Sequence, residues 1–295
     1  MSMNEAQSTS TKALPANHGE VAPAATGCLL EVRNLRKSFA RASGPFANEG
    51  KADWFVAVDN VSFQVQAGET FAIVGESGCG KTTLARLILR LIEPDQGEVL
   101  FDGRDLLALS HNELRAQRRQ MQMIFQDPFA SLNPRMRVGD IVAEPLAIHE
   151  AHFAAVERIR RAGAMLRRVG LDESALNRYP HEFSGGQRQR IGMARALILH
   201  PKLVVADEPV SALDVSVGAQ VLLLLQELQR ELQLTYLFIS HSLPVVAQLA
   251  NHIAVMRRGE LIESGPAVQI LQAPTQGYTQ ELLAAVPEVP RPAQM

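Results

Sequence analysis

The sequence predicts an α/β domain built around a parallel sheet with crossover helices. Short apolar runs typical of buried strands alternate with helical stretches over the last third of the chain: strands at 203–206, 236–239 and 253–256, and helices at 215–231 and 243–250. Another apolar run, near 70–75, passes into a glycine-rich turn and then a helix. With 295 residues, of which 46% are hydrophobic and 20% charged, the chain can bury a substantial core.

Two further subdomains are expected before this alternation. Strands near 28–34, 58–66 and 97–101 suggest a small antiparallel sheet. Apolar residues recur at helical spacing in the middle of the chain, at 111–120, 138–148, 151–169 and 187–199. We therefore predict an antiparallel β subdomain and a helical subdomain at about 110–195. The predicted domain covers 28–287; residues 1–27 are predicted to be a disordered tail, 40–53 a surface loop, and 288–295 a second tail.

The glycine-rich turn has the spacing of a phosphate-binding P-loop. Its glycines allow a tight backbone curl with N–H groups directed inward, and the following helix adds its positive N-terminal end. Lys81 is expected to reach the β- and γ-phosphates, and the Thr82 hydroxyl to bind Mg²⁺. The residues expected to surround the triphosphate are Gly75, Glu76, Ser77, Gly78, Cys79, Gly80, Lys81, Thr82 and Thr83. The pattern predicts binding of a nucleoside triphosphate, ATP, together with Mg²⁺.

A pair of carboxylates ends the apolar strand at 203–206. Because ligands bind at the carboxyl edge of a parallel sheet, Asp207 can hold Mg²⁺ and Glu208 can polarise the water that attacks the γ-phosphate. Alone, such a pair is more typical of a strand that simply ends in a polar turn. Together with the P-loop, it predicts ATP hydrolysis through Walker A and Walker B elements.

A third motif offers a second anion site at a helix N-terminus. Its residues are Ser184, Gly185, Gly186 and Gln187. A serine cap followed by two glycines leaves backbone N–H groups accessible, and a chain with its own P-loop does not need them. With this motif between the P-loop and the carboxylate pair, the sequence resembles the ABC ATPases. The resemblance implies that two ATPase domains pair head to tail, so that Ser184 and Gly186 of one contact the γ-phosphate held by the other.

The resemblance extends to three further residues. Gln126 resembles the Q-loop glutamine, which binds Mg²⁺ and the attacking water, while its loop faces the membrane subunits. Asp214 resembles the D-loop aspartate that couples the two sites, and His241 the switch histidine that bonds the γ-phosphate. The family usually has Asp after that histidine; this chain has Ser242, which removes a carboxylate that can orient or charge the imidazole.

The adenine base is stacked by an aromatic residue in this family. Phe39 fits by its position after the first strand, and Trp54 or Phe55 are the alternatives after the loop at 40–53.

Within the family, the sequence resembles the ATP-binding subunits of dipeptide and oligopeptide importers in particular. It rests on the segments 126–136, 206–216 and 277–287. It implies two permease partners, a second and similar ATPase subunit forming a heterodimer, an external solute-binding protein acting indirectly, and a peripheral position on the cytoplasmic face of the bacterial inner membrane. The same group includes importers of nickel, glutathione and opines, so these cargoes remain alternatives.

Composition argues against other classes of protein. The net charge of −2 does not suit a chain whose main task is to neutralise nucleic-acid phosphates, so no nucleic-acid partner is expected. The two cysteines, Cys28 and Cys79, are too few for a disulfide framework. A non-transport ABC ATPase acting on DNA or ribosomes usually carries a further domain or a coiled coil, and a regulatory module without turnover would not need Glu208. Both remain rival hypotheses.

Overall fold

The computed structural model describes residues 27–40, 54–127 and 129–285. The predicted tails, apart from Gly27, and the predicted surface loop, apart from Ala40, lie outside the described residues. In chain order, the strands are β1 (Cys28–Ala40), β2 (Trp54–Gln66), β3 (Thr70–Val74), β4 (Gln96–Phe101), β5 (Arg104–Asp105), β6 (Met121–Ile124), β7 (Leu203–Asp207), β8 (Thr235–Ser240), β9 (His252–Arg257) and β10 (Glu260–Pro266). The helices are α1 (Lys81–Ile88), α2 (His111–Arg118), α3 (Val138–His149), α4 (Ala155–Arg168), α5 (Gly185–Leu197), α6 (Val215–Leu232), α7 (Leu243–Val246), α8 (Ala267–Gln272) and α9 (Gly277–Ala284). Two short 3-10 helices precede α5.

The larger sheet positions the functional loops. It has six strands in the order β10-β9-β3-β8-β7-β6, and all neighbouring pairs are parallel except β9 with β10. β3, β7 and β8 are buried along their whole length, which explains their nearly continuous apolar sequences. The segments that follow β3, β6, β7 and β8 all emerge at the carboxyl edge of the sheet.

The smaller sheet is antiparallel, with four strands in the order β2-β1-β4-β5. Helix α1 joins it to the larger sheet: Leu84, Leu87 and Ile88 are fully buried in one apolar cluster that includes Val99 of the antiparallel sheet and Ile239 of β8. The P-loop helix is therefore fixed in position by packing in the apolar core.

Helices α3, α4 and α5 pack together as a helical layer. Val142, Leu166 and Ile191 are fully buried there, and they belong to a second apolar cluster that reaches Val204 of β7. The fold class is confirmed: an α/β core with an antiparallel sheet and a helical region.

The structure differs from the sequence prediction inside the segment 110–195. Residues 121–124 form β6, which pairs with β7, although the segment was expected to be mostly helical. Four residues give too short a pattern for periodicity to separate a buried strand from a helix. β5, β10, α8 and α9 were also not predicted, and the helix expected at 243–250 ends at Val246.

Candidate active site

The P-loop is shaped by backbone conformation and by contacts with its neighbours. Gly80 has a φ of +116°, and a Cβ added there would lie 2.2 Å from the carbonyl oxygen of Ala57. A Cβ on Gly75 would lie 2.1 Å from the carbonyl oxygen of Met256. Only glycine fits at these two positions. Helix α1 begins immediately afterwards with no side-chain cap on its first N–H groups. These donors suit an anionic ligand.

Lys81 is buried, with its ammonium group directed into the loop. Its Nζ donates to the carbonyl oxygens of Gly75 at 2.7 Å and Glu76 at 2.8 Å. A buried ammonium needs such partners, because its desolvation is costly. The positively charged end of Lys81 therefore lies inside the loop, where the sequence predicts that phosphate binds.

Oxygen ligands for a divalent cation meet beside the P-loop. The Thr82 hydroxyl donates to Oδ1 of Asp207 at 3.2 Å. Burial, and secondarily the nearby Glu208 carboxylate, raise the pKa of Asp207. A cation would offset the cost of ionising this buried carboxylate. The described residues contain no group of three or more His, Cys, Asp or Glu able to hold a metal by themselves. The two oxygens fit Mg²⁺ with phosphate oxygens completing its coordination.

Glu208 lies between Gln126 and His241. Nε2 of Gln126 donates to Oε2 of Glu208 at 2.9 Å, and Nδ1 of His241 lies 3.1 Å from Oε1. Glu208 has a φ of +46°, an uncommon conformation for a residue with a side chain, and its N–H donates to the carbonyl oxygen of Ile239 at 2.9 Å. This strained turn directs the carboxylate toward two loops from neighbouring strands.

Glu208, Gln126 and His241 line a cavity of about 860 Å³ together with the first residues of the P-loop. Its lining includes Gly75, Glu76, Ser77, Gln126, Glu208 and His241. The carboxylate is 12% exposed and the His241 side chain 52% exposed, so a ligand can reach both. The structure thus brings together the predicted catalytic residues and the start of the P-loop.

The Ser184 segment forms a separate feature. The Ser184 hydroxyl accepts from the Gln187 N–H at 3.4 Å, and Gln187 Oε1 accepts from the Ser184 N–H at 3.0 Å, so the two form a capping box. A Cβ on Gly186 would lie 2.3 Å from Val217 Cγ1, which explains the glycine. Residues 184–187 do not line the cavity within the described part of the chain.

Asp214 caps helix α6. Its Oδ1 accepts from the Val217 N–H at 2.9 Å and from the Ser216 hydroxyl at 2.7 Å. These bonds lower the pKa of the Asp214 carboxyl. Asp214 is therefore ionised at neutral pH, at the start of the helix that packs against Gly186.

The three aromatic candidates for base stacking lie at one end of the β1–β2 hairpin. Phe39 pairs with Phe55, and Trp54 is the next residue along. All three are exposed, at 39%, 44% and 60% respectively. The geometry does not separate them, so Phe39 stays a prediction.

Two side chains of α9 at the site were not singled out from the sequence. Tyr278 is buried, and its hydroxyl accepts from the N–H of Glu76 at 3.4 Å. Leu282 lines the cavity. No local sequence signal places a residue so far along the chain against the P-loop.

A partly apolar groove of about 690 Å³ opens beside Gln126. Its lining includes apolar side chains together with the two predicted Mg²⁺ ligands: Phe125, Pro145, Ile148, Thr82 and Asp207. Across the described ranges, none of the helices has the length and apolarity needed to cross a membrane.

Comparison with known proteins agrees with this geometry. A family model described as "ABC transporter" matches residues 58–211. The oligopeptide transport ATP-binding protein OppF of Bacillus subtilis is 50% identical over 260 residues, covering 88% of this chain and 82% of the relative. OppF of Haemophilus influenzae is 49% identical over 264 residues, covering 90% and 79%.

Solved structures show the same fold. The dimeric ATP-binding cassette MJ0796, in a post-hydrolysis state bound to ADP and Pi, superposes with a TM-score of 0.71 at 29% identity, covering 81% of this chain and 99% of that one. The cbiO1 protein of Clostridium perfringens, part of the ABC transporter complex cbiONQ, gives 0.70 at 25% identity, covering 83% and 91%. The chain therefore belongs to the ABC transporter family.

Proposed function

We propose that this chain is the ATP-hydrolysing subunit of an importer that carries oligopeptides across the bacterial inner membrane. The observation that carries the proposal is Glu208, which lies between Gln126 and His241 in the cavity that begins at the P-loop. The peptide cargo is supported by relatives of about 50% identity whose names specify oligopeptide transport. We further propose that residues 28–287 form one ATPase domain flanked by two tails.

ATP binding uses the P-loop. Lys81 exchanges the carbonyl oxygens of Gly75 and Glu76 for phosphate oxygens, while the N–H groups at the start of α1 add further donors. Phe39 stacks on the adenine. Because the site is preformed and partly buried, little reorganisation is needed when the phosphates enter.

Mg²⁺ is proposed to be held by Thr82 and Asp207, with Gln126 nearby. When bound, it neutralises charge on the transferred phosphoryl group. Asp207 must be ionised to hold it, which links the raised pKa of this carboxyl to occupancy of the site.

Hydrolysis then depends on Glu208. Its carboxylate polarises the attacking water and accepts its proton, because it is the acidic group that faces the cavity from the strand end beside the P-loop. Gln126 and His241 contact opposite oxygens of this carboxylate and hold it in position. His241 is exposed enough to bond the γ-phosphate. Most of the rate enhancement comes from positioning and charge stabilisation.

A second, similar ATPase subunit completes the site. Residues 184–187 lie apart from this chain's own cavity, and their capped helix start is available to the phosphate held by a partner. Asp214 lies at the start of the helix behind this segment and couples the two sites. The solved structure of MJ0796 is named as dimeric, which supports the pairing of two such subunits.

Two permease subunits are the membrane partners, and an external solute-binding protein acts through them. The groove beside Gln126 offers apolar side chains on which a permease can dock, and Gln126 itself donates a hydrogen bond to Glu208. The chain would then lie peripherally on the cytoplasmic face of the inner membrane. We propose no nucleic-acid partner, because a net charge of −2 does not suit a chain that neutralises nucleic-acid phosphates.

The test compares Mg·ATP hydrolysis by the wild-type chain and Glu208→Gln, alone and with the neighbouring permease and ATPase subunits. The proposal predicts turnover by the wild type, faster with its partners, and an inactive variant that accumulates as an ATP-bound dimer on sizing. Peptide uptake into vesicles carrying the assembled complex tests the cargo. Binding of ATP without turnover in any combination would contradict the proposal.

A further inference from the structure

The C-terminal helix α9 lies against the P-loop. Tyr278, in its first turn, is only 7% exposed, and its hydroxyl accepts a long hydrogen bond, 3.4 Å, from the backbone N–H of Glu76. One turn further along, Leu282 lines the cavity that also contains Glu208 and His241. The helix thus borders the nucleotide site at two points.

The start of α9 is anchored by contacts outside the P-loop. Glu263 of β10 accepts from the N–H and the hydroxyl of Thr275, at 2.7 Å and 2.8 Å, and from the N–H of Gln276 at 3.2 Å. The guanidinium of Arg257 lies 4.4 Å from the centre of the Tyr278 ring, within the range of a cation–π contact. The sheet therefore sets the position of Tyr278.

The same part of the sheet also holds the other end of the loop. The N–H of Gly259, in the turn between β9 and β10, donates to the carbonyl oxygen of Cys79 at 2.9 Å. The P-loop is thus contacted near its entrance by Tyr278 and near its exit by Gly259. Both contacts depend on the strand pair β9–β10.

Glu76 connects Tyr278 to the lysine that is expected to bind phosphate. Its N–H points to Tyr278, whereas its carbonyl oxygen accepts from Lys81 Nζ at 2.8 Å. A shift of this residue would therefore move an acceptor of the ammonium group. Burial raises the pKa of the Tyr278 hydroxyl, so the ring stays neutral in the physiological range and adds no charge to the site.

We propose that Tyr278 is a positioning residue for the triphosphate site: by holding Glu76, it keeps the P-loop and Lys81 in the shape that receives ATP. This inference rests on the proposed function, because it assumes that the loop binds ATP. It makes α9 part of the nucleotide site and assigns the tyrosine a role in affinity, not in the chemical step.

The test compares Tyr278→Phe with Tyr236→Phe. Both changes remove one hydrogen-bonded hydroxyl. Tyr236 belongs to the same apolar cluster as Tyr278 and is 2% exposed, its hydroxyl donates to the Leu225 carbonyl oxygen at 3.1 Å, and it does not line the cavity that begins at the P-loop. Binding of a fluorescent ATP analogue with Mg²⁺ gives Kd, ATP hydrolysis gives KM and kcat, and thermal melting gives Tm. Each is measured on the full chain.

For Tyr278→Phe, we expect Kd and KM to rise about 3-fold to 10-fold, as for one hydrogen bond lost, with kcat at saturating ATP and Tm nearly unchanged. Tyr236→Phe should show the reverse, a lower Tm with Kd and KM unchanged. Tyr278→Leu, which also removes the ring, should weaken binding further. Glu281→Gln, an exposed change on the same helix, should have no effect on any of these quantities.

The inference is overturned if Tyr278→Phe has the Kd and KM of the wild type. It is also overturned if both tyrosine variants lose ATP affinity in the same proportion as they lose Tm. The two proposals fail separately. If the wild type binds the analogue but does not hydrolyse ATP, the proposed function fails, and the Kd comparison still decides the role of Tyr278. If hydrolysis is normal and Tyr278→Phe binds like wild type, only the inference fails.

Discussion

The amide nitrogen of Gln126 lies 2.9 Å from a carboxylate oxygen of Glu208, although the two residues are 82 positions apart in the sequence. The loops after β6 and β7 bring them together, because adjacent parallel strands end at the same edge of the sheet. His241, after β8, contacts the other carboxylate oxygen. Glu208 is therefore held from both sides.

Gln126→Glu should slow ATP hydrolysis about 10-fold to 100-fold at pH 7.5, because it places a second carboxylate against Glu208 and raises the pKa of one of them. A protonated Glu208 cannot accept a proton from water. Since the pair then titrates at higher pH than a single carboxyl, kcat should recover as the pH rises. The measurement is kcat between pH 6 and pH 9.

The matched control is Gln122→Glu. The Gln122 amide donates to the Arg118 carbonyl oxygen at 2.7 Å and does not contact Glu208. This variant should keep the wild-type pH profile. The same shift in the pH dependence of kcat in both variants would contradict the proposed contact between position 126 and Glu208.

Asp207→Asn should raise Tm in the absence of Mg²⁺ and nucleotide. Burial raises the pKa of Asp207 in the folded chain, so its favourable contribution is present at low pH and is lost as pH rises through the folded pKa. Above the ordinary value of 3.8, this raised pKa costs stability, whereas Asn is neutral at every pH and keeps an oxygen for Thr82. The Tm difference should shrink below pH 4.

The same variant should lose the further rise in Tm that Mg·ATP gives the wild type, because it lacks the charge that holds the cation. Melting with and without Mg·ATP checks this. A lower Tm for Asp207→Asn at pH 7 without ligands would show that the carboxylate is stabilised by something other than Thr82.

Gly80→Ala should destabilise the fold by at least about 2 kcal/mol, because the new Cβ meets the Ala57 carbonyl at a strained φ. Gly192→Ala is the matched control within α5, where a Cβ has no neighbour within 4 Å. That change should stabilise by about 0.5–1 kcal/mol through helix propensity. Urea unfolding measures both; equal effects would contradict the geometry of the loop.

Asp95→Asn should destabilise the chain at pH 7 by no more than about 1 kcal/mol, since the ion pair between Asp95 and Lys37 is partly exposed and screened by solvent. Hydrogen bonds from Lys37 and Ser38 lower the pKa of Asp95 to about 2. Its stabilisation is therefore present above the ordinary value of 3.8 and disappears as pH falls through about 2. Unfolding free energies of the variant and wild type should converge toward that pH.

Asp102→Asn is the comparison for this effect. Asp102 forms an ion pair with Lys202 in which both side chains are about half exposed. Its removal should cost less than that of Asp95, which also accepts from the Ser38 N–H and hydroxyl. A larger cost for Asp102→Asn would contradict the role given to Ser38.

Elements with long or strongly patterned sequences were predicted well. β3, β7 and β8 lie within one residue of the predicted strands, because their uninterrupted apolar runs indicate burial on both faces. β6 was missed because its four residues become a strand only through pairing with β7. The proposal that Phe39 stacks on adenine rests on its position in the sequence, since Phe39, Trp54 and Phe55 share one hairpin end.

The sequence by itself determined where the P-loop lies, between a buried strand and a helix. Its residues are neighbours in the chain, so glycine spacing and a following helix are enough to indicate the loop; the structure added that Lys81 bonds the carbonyl oxygens of Gly75 and Glu76. The tertiary structure alone decided how Glu208 is held and that Tyr278 reaches the P-loop, from 202 positions away. Such contacts depend on strand order and on packing of the completed sheet, which no local pattern encodes.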